Sequence, residues 1–334
     1  MCVMSLSVSF VKALLIAAAI IGQAQSAPNI IMVMVDDMGW GDISYNNGTA
    51  YMPNIENWRD EPHTIVFQRG YAGSPLCSPT RASVLTGRNG DRECIYSANQ
   101  GAYVPAWEFS QTMPLPLSTF TIAEAVKKAD VGYQTAFFGK WHIGDFWDKG
   151  EGNPVSNPIL NGFDYMFASE GNMPTTTPNC DCEAFADTVD TCVKGTYTRS
   201  FCKTYWYQND SRSTDVQNIS YKVDASYNND ARNERNTFFL ITKFEEWLTN
   251  TADLSKPMLV ALFIHAPHTE IVSNQAFYDG CNNGTYCKPR ADGTNYTDEE
   301  LHYWGLIADI DSQIGRLREL LKVHGIYNNT WLWF

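Results

Sequence analysis

The sequence predicts an α/β fold in which a mostly parallel sheet is sandwiched between helices. Residues 29–35 and 258–264 are continuous apolar runs rich in Ile, Val, Leu and Met, which is typical of strands buried on both faces of a parallel sheet. Helical patterns at residues 121–129 and about 236–249 precede the strand-like runs 135–138 and 258–264. Strands that alternate with helices in this way indicate crossover connections, which place helices over both faces of the sheet.

The length and composition agree with a folded domain and exclude several other classes. The chain has 334 residues, which suffices for one large α/β domain or for about two domains of roughly 150 residues. Its 24 Lys and Arg against 37 Asp and Glu give a net charge of −13, and 44% of its residues are hydrophobic. Such a composition excludes a disordered chain, a collagen-like repeat and a general nucleic-acid binder, because an acidic surface repels phosphate backbones.

The last helix and the strand after it are well marked. Thr297 and Glu300 form a capping-box pattern, and Gly325 stands where a helix would end. Between them, apolar residues recur at helical spacing: Trp304, Ile307, Ile310, Ile314, Leu317 and Leu321. We expect a long helix with a packing role, followed by a final strand that begins at Thr330.

The first 27 residues resemble a secretory signal peptide. Lys12 precedes an apolar run at residues 13–21, and small residues from Ala24 to Ala27 suggest a cleavage site near Ala27. This run is too short to cross a bilayer, which needs about 20 apolar residues, so we expect no membrane anchor. Six Asn-X-Ser/Thr triplets agree with a glycosylated protein of the secretory pathway. They begin at Asn47, Asn209, Asn218, Asn283, Asn295 and Asn328.

Six of the nine cysteines fall into two groups. Four of them, Cys180, Cys182, Cys192 and Cys202, lie in a polar segment at about residues 170–235, and Cys281 and Cys287 are six residues apart. In an oxidising compartment these six favour disulfides, although the sequence does not fix the pairing of the first four. A zinc site at the Cys180-X-Cys182 pair is the alternative, with an unusual spacing for it. We expect residues 170–235 to be a disulfide-bonded insertion at the sheet edge, which either shapes substrate access or decorates the surface.

Polar side chains follow three of the predicted strands, where an open parallel sheet binds its ligands. They are Asp36 and Asp37 after the first strand, Lys140 and His142 after the second, and His265 and His268 after the third. Asp36 and Asp37 suit Ca²⁺ or Mg²⁺, and Lys140 and His142 would share one face in extended geometry. Each pair taken alone also fits an ordinary turn or solvated loop, and either histidine near residue 268 also fits a buried structural role.

Cys77 opens a second candidate site, at the start of a predicted helix with Pro79 in its first turn. Unpaired backbone N–H groups and the positive end of the helix dipole would favour an anion there, and Arg81 lies one helical turn further on. A thiol nucleophile with a lowered pKa and a half-cystine paired with Cys94 are two further interpretations. Neither of these two interpretations explains why Arg81 lies one helical turn after Cys77.

At these motifs the sequence resembles the arylsulfatase-like sulfatase family, part of the alkaline-phosphatase-like superfamily. Three stretches carry the resemblance besides the opening Pro28-Asn29-Ile30 strand with Asp36, Asp37, Gly39 and Gly41. They are Cys77-X-Pro79-X-Arg81-X4-Thr86-Gly87, the segment Gly139-Lys140-Trp141-His142-Ile143-Gly144, and the run from Tyr303 through Asp311, Gly315, Arg316 and Leu317 to Thr330. The resemblance covers nearly all of the chain after the signal peptide, so residues 28–334 are expected to form a sulfatase catalytic domain.

The resemblance implies a sulfuric ester hydrolase. A formylglycine-generating enzyme would convert Cys77 to formylglycine in the endoplasmic reticulum, and Asp36, Asp37 and the modified Cys77 would bind one Ca²⁺ ion. One hydroxyl of the formylglycine hydrate would attack sulfur while His268 protonates the leaving oxygen. The remaining roles fall to cations and a base: Lys140 and Arg81 would offset negative charge, and His142 would deprotonate the second hydroxyl so that sulfate leaves. The implied partner is a sulfated small molecule or carbohydrate, in a lysosomal or extracellular location.

The sequence departs from the family pattern after the strand that begins at Thr330. In sulfatases an Asp-Asn pair completes the metal site there, and a lysine and a smaller C-terminal domain follow; the chain stops at Phe334. We therefore expect an incomplete catalytic domain with weak Ca²⁺ binding and little activity as written. A phosphoesterase of the same superfamily and a non-catalytic binding protein are the alternative functions.

Overall fold

The computed structural model describes residues 27–98, 114–144, 146, 155–169, 236–269 and 271–334, together with the backbone of residues 207–210. The predicted signal peptide, except for Ala27, lies outside the described residues. Of the cysteine-rich segment at 170–235, only the backbone of residues 207–210 is described, so the predicted disulfides among its four cysteines also fall outside.

The described residues form one six-stranded sheet, ordered β4-β3-β2-β5-β1-β6. The strands are β1 (Asn29–Asp36), β2 (Gln134–Lys140), β3 (Tyr165–Ser169), β4 (Tyr207–Asp210), β5 (Met258–Pro267) and β6 (Thr330–Trp333). All neighbouring pairs are parallel except β3 and β4, which are antiparallel. The predicted mostly parallel α/β sheet is therefore confirmed, and a short antiparallel strand from the 170–235 segment forms one edge.

Helices cover both faces of this sheet. They are α1 (Pro53–Arg59), α2 (Cys77–Thr86), α3 (Ile122–Lys128), α4 (Asn236–Asn250), α5 (Gln275–Asn282) and α6 (Asp298–Val323). Short 3₁₀ turns lie at Trp40–Asp42, Ser44–Asn46, Gly90–Glu93, Ile159–Asn161 and Tyr327–Asn329. None of the helices among these residues combines the length and the apolar character needed to cross a bilayer.

The core is divided between the two faces by alternation along the strands. On β2, Phe138 packs in the cluster that contains α1, α4, α5 and α6, whereas Phe137 packs in the cluster that contains α2 and α3. On β5, Leu262 and Phe263 divide in the same way, and every residue of that strand is buried. Successive side chains of a strand point to opposite faces, so a continuous apolar run is what a central strand between two helical layers requires.

The end of the chain follows the predicted pattern. The Thr297 hydroxyl accepts a hydrogen bond from the Glu300 backbone N–H at the start of α6, and the Glu300 carboxylate accepts from the Thr297 backbone. Gly325 takes a left-handed conformation (φ 70°) just after the helix. The predicted capping box and stop signal are thus confirmed.

The described cysteines settle two of the expectations. Cys281 and Cys287 form a disulfide, as predicted. Cys77 and Cys94 are both free, which excludes the half-cystine interpretation of Cys77 in this structure.

Candidate active site

Four elements bring their polar residues together at one edge of the sheet. Asp36 ends β1, Lys140 ends β2, His265 lies near the end of β5, and Cys77 is the first residue of α2. The carboxyl ends of parallel strands meet at a common edge, which explains why residues so far apart in sequence share one site.

Asp36 is the centre of this cluster. Its Oδ2 atom lies 2.7 Å from Lys140 Nζ, 3.2 Å from an Arg81 terminal nitrogen and 3.5 Å from His265 Nδ1. Its Oδ1 atom accepts from Cys77 Sγ at 3.4 Å. Burial works against ionisation of this carboxyl group, yet the hydrogen bond to His265 and the charges of Arg81 and Lys140 hold its pKa well below the ordinary value.

A register shift between β1 and β5 positions the histidines. Val35 pairs with Ile264, but the next residue, Asp36, pairs with Pro267, so β5 carries two extra residues at this edge. One of them is His265, whose ring centroid lies 4.7 Å from that of His268. The Nε2 atom of His268 is in turn 3.6 Å from a carboxylate oxygen of Asp37, the residue that follows β1.

Cys77 lies at the N-terminus of α2, as its position before Pro79 predicts. Its Sγ atom is 3.7 Å from Lys140 Nζ, and burial raises the pKa of the thiol despite this nearby charge. The thiol interpretation with a lowered pKa therefore finds no support in the structure. Arg81, one turn along the helix, is fully buried and donates a hydrogen bond to the Lys140 backbone carbonyl, which ties α2 to the end of β2.

The end of β2 requires a glycine before the lysine. Gly139 has φ 107°, and a Cβ atom there would lie 2.0 Å from the Phe263 carbonyl oxygen of β5. This close approach of the two backbones directs Lys140 into the site, where its side chain is fully buried. Burial lowers the pKa of Lys140, and the neighbouring Arg81 charge lowers it further.

His142 reaches the cluster by a different backbone path from the one expected. Extended geometry from Lys140 to His142 is wrong, because β2 ends at Lys140 and His142 adopts a left-handed conformation with φ 59°. The Ser78 hydroxyl on α2 donates to the His142 carbonyl at 2.5 Å. Burial first, and then the charges of Lys140 and Arg81, lower the pKa of His142 to about 2, so the imidazole is neutral. Its Nδ1 atom is buried and has no hydrogen-bond partner among the described residues.

All of the site residues described above lie in the part of the chain that matches the model of a known protein family. The family model described as Sulfatase covers residues 28–334. The chain belongs to the sulfatase family. Three of the stretches that carry the resemblance, namely the opening strand with Asp36, Cys77–Gly87 and Gly139–Gly144, contribute residues to the buried cluster.

Individual relatives agree with this sulfatase assignment. N-acetylgalactosamine-6-sulfatase of Rattus norvegicus is 26% identical over 316 residues, which are 93% of this chain and 50% of the rat protein. Arylsulfatase D of Homo sapiens is 35% identical over 157 residues, which are 47% of this chain and 24% of the human protein. The sulfatase chain thus spans about half the length or less of these curated relatives.

Solved structures share the fold of the sulfatase chain. The crystal structure of Ps i-CgsB superposes with a TM-score of 0.63 at 21% identity, covering 92% of this chain and 57% of that one. BT4656 in complex with its substrate D-glucosamine-2-N,6-O-disulfate gives a TM-score of 0.57 at 17% identity, covering 92% of this chain and 64% of that one. At these identities the likeness shows the shared fold.

The donor atoms of the sulfatase chain fit part of a Ca²⁺ site. One ligand atom each from Asp36, Cys77 and His268 lies within 4.8 Å of the others, and the Asp37 carboxylate is adjacent to His268. Two carboxylates are hard oxygen donors of the kind that Ca²⁺ prefers, but a full Ca²⁺ shell contains about six to eight oxygens. The carboxylates of Asp36 and Asp37 are therefore of a chemistry that suits Ca²⁺, but they supply fewer oxygens than its full shell contains.

Sequence analysis named His265 at the end of its strand but assigned it no role in the site. The pattern His265-Ala266-Pro267-His268 at a strand end draws attention to both histidines, but residue spacing alone does not reveal the register shift opposite Asp36. The structure brings the other predicted residues, Asp36, Asp37, Cys77, Arg81, Lys140, His142 and His268, to this same edge of the sheet.

Proposed function

We propose that the protein is a sulfuric ester hydrolase whose nucleophile derives from Cys77. The observation that carries the proposal is the position of Cys77 at the N-terminus of α2, with Asp36 and Lys140 in contact with its sulfur and Arg81 one turn along the helix. Few structural roles require two buried cations beside a cysteine. An anionic ester with its sulfur atom beside residue 77 explains all of these neighbours.

The charge of the cluster favours a sulfate group. Lys140 and Arg81 are both buried, and Asp36 is the carboxylate that lies between them. Two cations against one buried carboxylate leave positive charge at a helix N-terminus, where backbone N–H groups also attract an anion. These groups would stabilise the negative charge that builds up on the sulfate oxygens in the transition state.

We propose that Cys77 is converted to formylglycine by a formylglycine-generating enzyme. When hydrated, that residue supplies a gem-diol, one hydroxyl of which forms the bond to sulfur. Because burial raises the pKa of the unmodified thiol, Cys77 itself is a weak nucleophile at neutral pH. The chain's own contribution is to hold residue 77 against Asp36 Oδ1 and Lys140 Nζ.

We propose two histidines for the proton transfers. His142 is neutral and its buried Nδ1 atom has no partner among the described residues, so we propose that it takes the proton of the second diol hydroxyl. The negative charge of a bound sulfate ester would raise its low pKa and make it a stronger base. His268 is less deeply buried and lies beside the Asp37 carboxylate, so it is suited to give a proton to the leaving oxygen. Arg81 and Lys140 are both paired with Asp36 and are suited to orient the anionic group.

We propose that Asp36 and Asp37 hold a single Ca²⁺ ion. The ion would supply positive charge to the bound sulfate. We further propose that residues 28–334 belong to a sulfatase catalytic domain, whose strand β6 runs parallel to β1 and so has its carboxyl end at the edge that carries Asp36.

The substrate class that we propose is a sulfated carbohydrate or small molecule in the secretory pathway, lysosomal or extracellular. Its support is the names of the relatives, which include N-acetylgalactosamine-6-sulfatase and steryl-sulfatase. The acceptor asparagines whose side chains the structure describes are all exposed, as N-linked glycans require. They are Asn47, Asn283, Asn295 and Asn328.

Peptide mass spectrometry tests the nucleophile. We would purify the protein from a secretory host that contains the modifying enzyme and analyse the tryptic peptide of residues 70–81. Formylglycine lowers the peptide mass by about 18 Da and makes it reactive toward aldehyde reagents. Cys94, which is also free but exposed, is the internal control and should keep the mass of cysteine. An unmodified Cys77 in this protein would exclude the formylglycine mechanism.

Activity measurements then separate the ester classes. Although we expect the turnover of this chain to be low, the modified protein should release sulfate from an aryl sulfate or a sulfated monosaccharide much faster than it hydrolyses the matching phosphate ester. Faster hydrolysis of phosphate would favour a phosphoesterase, and absence of turnover by a fully modified, Ca²⁺-loaded protein would favour a binding function.

A further inference from the structure

The loop that follows β1 is held at both ends by side chains. Asp37, immediately after β1, carries one of the two proposed Ca²⁺ carboxylates, and Asp42 closes the loop five residues later. The Asp42 Oδ2 atom accepts hydrogen bonds from the Gly39 backbone N–H at 2.6 Å and from the Tyr303 hydroxyl at 2.6 Å. The Tyr303 hydroxyl is also 3.4 Å from the Asp37 carbonyl oxygen. One phenol therefore contacts both ends of the loop.

Asp37 needs such support more than most loop residues do. Its φ angle is 60°, a left-handed conformation that costs free energy for a residue with a side chain. Its side chain is 53% exposed, so packing does not fix its direction. The conformation that aims the carboxylate toward His268 must therefore be maintained by the hydrogen bonds of the loop itself.

Tyr303 is anchored on the longest helix of the described residues. α6 spans Asp298–Val323, begins with the capping box and packs through buried residues against the sheet. The Tyr303 ring also makes an edge contact with Trp304, at 5.0 Å between centroids. Burial, and then the hydrogen bond to Asp42, raise the pKa of Tyr303, so the phenol stays protonated and remains a donor.

We infer that Tyr303 is a positioning residue, which fixes the Asp37–Asp42 loop so that the Asp37 carboxylate faces the metal site. The part of this inference that concerns the metal rests on the proposed Ca²⁺ site. The part that concerns the loop does not, because the contacts to Asp42 and Asp37 are present in the chain itself. Tyr303 therefore acts on the proposed Ca²⁺ site indirectly, by fixing the conformation of the Asp37–Asp42 loop.

Tyr303→Phe is the test, and Tyr278→Phe is its matched control. Tyr278 on α5 donates to the Asp298 carboxylate at 2.6 Å. This is also a hydrogen bond from a tyrosine to an aspartate, but Asp298 is not part of the candidate active site. With Ca²⁺ as the titrant in calorimetry, we expect Tyr303→Phe to weaken affinity by about tenfold, the lower end of what loss of an outer partner costs a metal site. Tyr278→Phe should leave the Ca²⁺ affinity of the parent protein unchanged.

Hydrogen exchange gives a readout that needs no metal. In Tyr303→Phe the Gly39 amide, which donates to Asp42, should exchange about tenfold faster than in the parent protein, because Asp42 has lost its second anchor. The same amide should be unaffected in Tyr278→Phe. Unchanged exchange at Gly39 in Tyr303→Phe would overturn the inference, whatever the metal does. If the parent protein fails to bind Ca²⁺ while the exchange result holds, the proposed Ca²⁺ site fails and the positioning of the loop stands.

Discussion

Two buried aspartates in this protein have opposite surroundings. Asp36, at the edge of the sheet, contacts Lys140 and Arg81. Asp311, on α6, accepts hydrogen bonds from the backbone N–H groups of Asn54 at 3.1 Å and Ile55 at 2.8 Å, and from the Asn54 side chain at 2.8 Å. The first is surrounded by cations and the second by neutral donors.

The difference appears in their pKa values. Burial opposes ionisation at both positions, but the cations around Asp36 lower its pKa, whereas the neutral donors around Asp311 do not overcome burial and its pKa is raised. Asp311 caps the start of α1 and joins it to α6, which is a structural role. A buried carboxylate among several buried charges is the arrangement that active sites use. Both aspartates lie in segments that resemble the sulfatase family, so burial and motif membership alone do not tell the two roles apart.

Asp36→Asn should produce the largest effect. It leaves Lys140 and Arg81 buried without their carboxylate, which costs about 3–5 kcal/mol of the free energy of unfolding. It also removes a proposed metal ligand, so we expect turnover of a sulfate ester to fall by at least about 10³-fold. Urea unfolding and sulfate release measure the two losses. A stability loss below about 1 kcal/mol would show that the cations do not depend on Asp36.

Lys140→Met should separate activity from stability. Arg81 remains paired with Asp36 at 3.2 Å, so the carboxylate keeps a partner, and a methionine fills a similar volume. We expect turnover to fall by about 10²–10³-fold while the free energy of unfolding changes by less than about 1.5 kcal/mol. Lys127→Met, which removes a half-exposed lysine paired with Asp164, is the control and should change neither quantity appreciably. Equal turnover in the two variants would remove Lys140 from the proposed mechanism.

The elements that sequence patterns predicted are those with strong local signals. The apolar runs at β1 and β5, the capping box of α6 and the start of α2 at Cys77 each depend on a few neighbouring residues, and each was predicted. β3 was missed, because Tyr165–Ser169 is only five residues long and is defined by its pairing with β2.

The site residues also divide into those with a local sequence signal and those whose contacts depend on strand pairing. The residues within family motifs were predicted, whereas the contact of His265 with Asp36 depends on the register shift between β1 and β5. The left-handed backbone of His142 was likewise not predictable, since its neighbours in sequence fit an extended chain. Contacts set by pairing between distant strands are not contained in local residue patterns.

Asp311→Asn should affect stability alone. The amide keeps one acceptor oxygen but loses a hydrogen bond at the start of α1, and the charge it removes is one that burial already disfavours. We expect a loss of about 1 kcal/mol in the free energy of unfolding, with the Ca²⁺ affinity and the turnover of the folded protein unchanged. A fall in Ca²⁺ affinity comparable with that of Asp36→Asn would mean that the two aspartates do not differ in role.

The smallest expected effect is a pH dependence of stability that originates in the site. Burial lowers the pKa of His142 to about 2, against an ordinary value of about 6.5, so the unfolded chain binds a proton that the folded chain does not. This histidine's contribution to stability is therefore complete above about pH 6.5 and is lost as the pH falls, by about 1 kcal/mol between about pH 7.5 and about pH 5.5. His142→Gln should remove that part of the slope, measured by urea unfolding with a chelator present, because metal affinity itself depends on pH. His63→Gln, at an exposed histidine away from the site, is the control for the substitution itself. Identical slopes in the parent protein and His142→Gln would show that the imidazole also accepts a proton in the folded state. The neutral imidazole from which we propose the proton transfer would then not be the form of His142 at low pH.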